Sequence, residues 1–122
     1  MSQKNKTEEL VLFENCVAKY HKAEAGFYEW RIYPLGWEIP LVSGILDISE
    51  NHCEASLKAV EKLMAEKLLA AKIRRLRKAF YIDVWKYGSD QLVAGSFSFE
   101  TRKKCRQFLK AIDPNGLIRL EN

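Results

Sequence analysis

The chain has 122 residues, of which 48% are hydrophobic and 30% are charged. This composition is that of one ordinary globular domain, and it excludes collagen-like, low-complexity and largely disordered chains. No apolar run approaches the roughly 20 residues of a membrane helix, and the polar start of the chain does not resemble a secretory signal. We therefore expect a cytoplasmic protein without membrane attachment, with a disordered tail at 1–6 and a single domain over 7–122.

The net charge of +4 is unevenly distributed along the chain. Residues 7–71 carry six basic and eleven acidic residues, whereas residues 72–122 carry twelve basic and five acidic residues. Such asymmetry favours a polyanionic partner or an acidic protein. The alternative is a solvated basic surface that serves only solubility.

The three cysteines, Cys16, Cys53 and Cys105, are widely spaced and form no Cys-x-x-Cys pair. In a chain without a secretory signal this pattern argues against disulfides. We expect three free, buried thiols. The two histidines lack metal-ligand spacing relative to them. We find no phosphate loop or hydrolase motif either, so we expect no enzyme activity, no metal and no cofactor.

The hydrophobic periodicity changes once in the first part of the chain. Thr7 can cap a helix that runs to about Ala25, because apolar residues recur there at helical spacing. These residues are Leu10, Phe13, Val17 and Tyr20. The pattern then alternates, which predicts a strand over 27–33 and a second strand over 37–41. Pro40 lacks a ladder donor, so the second strand is expected at an edge or a bulge.

The longest helix is predicted to follow these strands. It begins at Asp47 or Ser49, or at the capping box Asn51-x-x-Glu54. Its apolar residues form two successive stripes. The first stripe is Cys53, Leu57, Val60, Met64 and Leu68, and the second is Leu69, Ile73, Leu76 and Phe80. The change of stripe indicates either one long helix that contacts two surfaces or a break near Ala70-Ala71.

A strand over 81–87, a turn at Gly88-Ser89-Asp90 and a return strand over 92–99 are predicted next. Ser98 can cap a last helix. Its core stripe is Cys105, Phe108, Leu109 and Ile112. Residues 117–120 can add a short strand.

Together these elements predict an α+β fold. It has an antiparallel sheet of about four strands from two ββα-like halves, with an N-terminal helix added. Segments 27–64 and 80–112 share the same order of elements and are a candidate internal repeat. Alignment of their Phe-Tyr pairs reverses the inward face, so the similarity is one of pattern rather than identity.

Two helix faces are predicted to be basic. At about 100° per residue, the cations lie opposite the apolar stripes. They are Arg74, Arg75 and Lys78 on the long helix, and Lys103, Arg106 and Lys110 on the last helix. Closely spaced cations gain affinity for nucleic acid by releasing counterions.

The aromatic residues alternate on the predicted strands of the second half. Tyr81, Trp85 and Tyr87 share one face, and Phe97 and Phe99 alternate on the neighbouring strand. If helices cover only the other face, Trp85 and Tyr87 are candidate platforms for stacking bases. The alternative is that the N-terminal helix covers this layer.

These patterns give two functional hypotheses. The first is a small module that binds RNA or DNA through the six cations of the two helix faces, with Trp85 and Tyr87 as stacking residues. The second is a protein–protein adaptor, inhibitor or immunity-type protein without catalytic activity. Homodimerisation is compatible with either hypothesis. The type of nucleic acid and the pathway stay open.

Overall fold

The computed structural model of the chain describes residues 9–12 and 15–121. Within them, eight strands, two α-helices and one short 3-10 helix follow one another. The first half contains β1 (Glu9–Leu12), β2 (Cys16–Lys22), the 3-10 helix (Glu24–Gly26), β3 (Tyr28–Pro34), β4 (Leu41–Ser43) and α1 (Glu50–Ala65). The second half contains β5 (Leu69–Leu76), β6 (Ala79–Lys86), β7 (Leu92–Ser96), α2 (Arg102–Ile112) and β8 (Arg119–Glu121).

All eight strands belong to one sheet, in the order β1-β2-β3-β4-β7-β6-β5-β8. Neighbouring strands are antiparallel except for β5 and β8, which are parallel. The two halves meet at the centre, where β4 pairs with β7. The first half places four strands before α1, and the second half places three strands before α2 and one after it. Whether the halves are an internal repeat of a single domain stays a prediction.

The α+β class is confirmed, but the predicted arrangement of four strands with an N-terminal helix is wrong. The described part of the predicted helix from Thr7 to Ala25 forms β1 and β2. Cys16 and Ala18 are buried on one side of β2 while Val17 and Lys19 are not, which is a period of two. The predicted tail at 1–6 lies outside the described residues.

The predicted long helix is also wrong beyond its first half. Ser49, one of the predicted alternatives, caps α1, and four residues of its first stripe are buried. The chain then turns at Lys67, whose φ is +59°. Residues 69–76 form β5 instead of a second helical stripe. Leu69, Ala71 and Ile73 point into the core because they are two residues apart.

One face of the sheet forms the core together with both helices. Trp30 is fully buried, and its Nε1 donates to Ser56 Oγ of α1 at 3.0 Å. Cys16 lies 3.7 Å, Sγ to O, from the Ile112 carbonyl of α2. Phe108 of α2 packs against the rings of Trp37 and Phe99. Both helices therefore occupy the same side of the sheet.

The prediction of three free, buried cysteines is confirmed.

In the part of the chain that the structure describes, neither helix has the length and apolar character that a membrane crossing needs.

Candidate functional site

The second face of the sheet carries no helix and no strand from residues 9–12 or 15–121. We call it the open face. Its side chains alternate with the core residues along β2, β3, β4, β7, β6 and β5. The register aligns Lys19, Arg31, Val42, Gly95, Asp83 and Lys72 in one row across these strands. Tyr33, Arg74, Tyr81, Trp85 and Phe97 complete the open face. The predicted N-terminal helix is therefore not available to cover the aromatic residues, because its described part is in the sheet.

Three aromatic rings of the open face each have a cation above them. The Lys19 Nζ is 5.3 Å from the centroid of the Tyr33 ring. The Arg31 Cζ is 5.9 Å from the centroid of Phe97. The Arg74 Cζ is 5.0 Å from the centroid of Tyr81. These distances fall within the range of cation–π attraction, so the face presents aromatic surface and positive charge side by side.

Two carboxylates orient the arginines of the open face. Glu29 accepts from Arg31 Nε at 2.6 Å, and Asp83 accepts from Arg74 Nε at 2.8 Å. Burial would lower the pKa of Arg31, but the hydrogen bond and charge of Glu29 outweigh it and raise the pKa. The hydrogen bond to Asp83 likewise raises the pKa of Arg74. A guanidinium has five N–H donors, so a bond through Nε leaves further donors on its terminal nitrogens.

The side chains at the centre of the open face are short. Val42 and Gly95 are paired across β4 and β7, between the longer side chains of the flanking strands. A Cβ at Gly95 would have ordinary contact, 3.7 Å from the Ile82 carbonyl oxygen. The packing therefore does not require glycine there. Glycine in a strand often marks a place where a ligand approaches the backbone.

The six predicted phosphate contacts do not form two helix faces. Arg74 lies on the open face, Arg75 lies on the opposite face, and Lys78 follows in the turn between β5 and β6. Helical spacing places these three together, but strand alternation separates them. Lys103, Arg106 and Lys110 are exposed on α2, as predicted. Their role as phosphate contacts stays a prediction.

The two predicted stacking residues line one depression beside the open face, with a volume of about 470 Å³. Trp85 is half-buried in β6. Tyr87 is 44% exposed, and the Arg119 Cζ lies 4.2 Å from its ring centroid. Their role in stacking bases stays a prediction, and Tyr87 adds a fourth aromatic–cation pair at this corner.

Sequence reasoning missed Lys19, Arg31, Tyr33 and Phe97 as site residues. The predicted strand over 27–33 contains Arg31 and Tyr33, and its alternation places both on the face opposite Trp30 and Ile32, so the signal was present. Phe97 was grouped with Phe99, but Phe97 is 51% exposed and Phe99 is buried in the core. The chain leaves regular strand geometry after Ser96, which separates the two rings.

The cysteines and histidines form no comparable site. His52 Nδ1 is 2.7 Å from Ser49 Oγ in the cap of α1, and Cys53 points into the protein. In the described segments, no group of three or more His, Cys, Asp or Glu side chains is arranged to hold a metal ion. The expectation of no metal and no cofactor stays a prediction.

No protein-family model, no curated protein and no solved structure matches the chain. The case for a function therefore rests on the residues of the open face.

Proposed function

We propose that this protein binds single-stranded nucleic acid on the open face of its sheet. The observation that carries the proposal is the set of three aromatic–cation pairs on a sheet face that no described helix covers. Exposed aromatic rings on a sheet stack unpaired bases, and nearby cations contact the phosphates between them.

The geometry favours a single strand over a duplex. Stacking needs bases that are free of their complementary strand, and Phe97 is 51% exposed on this face. Lys72 and the terminal nitrogens of Arg31 and Arg74 supply phosphate contacts beside the rings. Gly95 allows the strand to approach the sheet backbone at the centre of the face.

Charge alone would not distinguish nucleic acid from other polyanions. Aromatic stacking is worth about 1–3 kcal/mol per base and tolerates any base sequence. We therefore infer broad sequence tolerance and binding to both RNA and DNA, with affinity that falls as salt rises.

The test is a fluorescence-anisotropy titration of labelled single-stranded RNA, single-stranded DNA and duplex DNA at two salt concentrations. We expect wild-type protein to prefer both single strands. Tyr81→Ala and Phe97→Ala should each weaken single-strand binding by roughly 5- to 150-fold, because each removes a stacking surface. Lys72→Gln should reduce the salt slope by about 0.7, as expected for one lost phosphate contact.

Ile45→Ala is the matched control, because Ile45 is an apolar residue of similar exposure, 62%, outside the open face. It should bind like the wild type. Equal binding of duplex and single strands, with Tyr81→Ala and Phe97→Ala unchanged, would contradict the proposal. It would leave only a diffuse basic surface.

The second candidate is the protein–protein adaptor. It is favoured by the loop between β4 and α1, where Ile45, Leu46 and Ile48 are 62%, 47% and 67% exposed. Hydrogen bonds between Asp47 and Tyr28 place this loop beside Phe27, which is 40% exposed. Exposed apolar patches mark interaction sites when they are contiguous. If wild-type protein binds none of the three nucleic acids, this surface becomes the leading hypothesis.

A further inference from the structure

Two arginines converge on one aromatic ring where the β5–β6 hairpin meets α2. The Cζ atoms of Arg75 and Arg102 lie 5.8 Å and 5.3 Å from the centroid of Phe80. Hydrogen bonds of 2.9 Å and 2.8 Å join the backbones of Phe80 and Phe99. These bonds fix the start of β6 against the segment that leads into α2. Cations from two distant parts of the sequence therefore lie beside the same ring.

Three more cations are close neighbours of this pair in the sequence. Arg77 and Lys78 form the hairpin turn, and Lys103 follows Arg102 in the first turn of α2; all three are exposed. We call Arg75, Arg77, Lys78, Arg102 and Lys103 the hairpin-end cluster. The nearby Glu100 pairs with Lys104 at 3.6 Å. No ion pair joins the cluster to a carboxylate among the described residues. Arg75 and Arg102 lie over one ring without an acidic partner, and such a pair of like charges favours an anion.

Helix stability does not explain the cations of α2. Its first turn contains no acidic residue and begins with Arg102 and Lys103. Cations at the amino end of a helix oppose its dipole. Here Arg102 lies over the same ring as Arg75, and a bound anion would offset the charge of both.

The hairpin-end cluster is continuous with the open face. Arg74 lies over Tyr81 on the open face, and its neighbour Arg75 lies over Phe80 on the opposite face. The outer strand β8 pairs only with residues 70–72 of β5. Within the described chain, residues 73–76 therefore have no strand on that side. A chain of phosphates can pass round this edge from Arg74 to Arg75.

We propose that the hairpin-end cluster is a second binding site, which takes the phosphodiester backbone of a nucleic-acid strand that continues from the open face. The identity of this ligand rests on the proposed function. The cluster contacts backbone phosphates and not bases, because its one ring, Phe80, is half-buried between the two arginines.

The test uses a labelled abasic deoxyribose-phosphate oligomer of about 15 units, a length within single-strand site sizes. It offers phosphates without bases to stack. We expect salt-dependent binding by the wild type. The double variant Arg75→Gln/Arg102→Gln should lower the salt slope by about 1.4, at about 0.7 for each lost contact. Phe97→Ala should bind the abasic oligomer like the wild type.

Lys58→Gln/Lys62→Gln is the matched control, because it removes the same charge from exposed positions of α1 outside the cluster. It should change the slope much less than Arg75→Gln/Arg102→Gln. Equal effects of the two double variants, or no abasic binding by the wild type at low salt, would overturn the inference. If Tyr81→Ala and Phe97→Ala leave base-containing strands unaffected while the cluster variant still weakens abasic binding, the open-face proposal fails and this site stands.

An oligonucleotide of about four nucleotides, the lower end of single-strand site sizes, tests the continuity by comparison with the longer strand. The cluster variant should bind this short strand as the wild type does and lose affinity only for the longer one. Equal losses for both lengths would overturn the separate location of the second site.

Discussion

The three thiols show how burial controls the chemistry of single residues. Burial, followed by the negative charge of Asp113, raises the pKa of Cys16 to about 11. Burial, followed by Asp47, raises the pKa of Cys53 to about 12. Burial also raises the pKa of Cys105, although Arg102 and Arg106 act in the opposite direction. All three groups stay protonated near neutral pH and act as small apolar residues.

These shifts predict a loss of stability in alkali. Unfolded thiols ionise near their ordinary pKa of 9.0, while folded Cys16 and Cys53 hold their protons to about 11 and about 12. Their stabilising contribution is therefore complete below pH 9 and falls as the pH rises above it. Urea unfolding at pH 8, 9 and 10 measures this effect.

A Cys16→Ala/Cys53→Ala variant is the control, because lysines and tyrosines titrate in the same range. Its unfolding midpoint should fall less steeply between pH 8 and 10 than that of the wild type. Parallel slopes would contradict the argument. Alkylation at pH 8 should also be slow in the folded wild type and rapid in urea.

At the scale of elements, α2 has two candidate residues for its N-terminal cap. Sequence spacing selected Ser98, but in the structure Thr101 Oγ1 accepts from Lys104 N at 3.1 Å. Thr101→Ala should therefore lower the free energy of unfolding by about 1 kcal/mol, the usual cost of a lost cap. Ser98→Ala should leave it nearly unchanged. Urea denaturation compares the two, and a larger effect of Ser98→Ala would reject this assignment.

The elements that the sequence predicted well have one unambiguous period. The apolar residues of α2 recur only at helical spacing. In β6, the buried Ile82 and Val84 alternate with residues that are not fully buried. The sequence of β5 fits both periods. Leu69 and Ile73 are four residues apart and also belong to an alternating series, and Ala, Leu, Lys and Arg are good helix formers. Pairing with β6 decides in favour of the strand.

The same ambiguity limited the candidate site. Arg74 and Arg75 were predicted to share a surface, and the period of two places them on opposite faces. No sequence pattern marks the approach of Arg102 to Phe80, because the contact depends on how β6 and α2 meet in three dimensions. The aromatic residues of the second half were predictable, since their strand was assigned correctly. Whether these rings are exposed depended on whether residues 16–22 form a helix over them or a strand of the sheet.

At the scale of the whole molecule, the two halves share one sheet and one layer of helices. Trp30 lies in the first half, yet it belongs to the same core cluster as Ile82 and Phe108. We therefore expect Trp30→Ala to destabilise both halves together, by about 3–5 kcal/mol as for other buried aromatic residues. Hydrogen exchange of the β5 and β6 amides should accelerate as much as that of β3.

Ile48→Ala provides the comparison, because this side chain is 67% exposed and should change neither half. Faster exchange confined to β2 and β3 in Trp30→Ala would show that the halves unfold independently. That result would also reject the single domain expected from the length of the chain.

The join between the halves has a consequence for the speed of folding. The strands of the β5–β6 hairpin are eight residues each and neighbours in sequence, whereas β4 has three residues and pairs with β7 across α1 and the whole of that hairpin. Local ladders close quickly, while distant ones must first overcome the entropy of a long loop. The ladder that joins the halves has only three pairs and the largest sequence separation among the described ladders. We therefore expect it to form last, and the open face exists as a continuous surface only after that step.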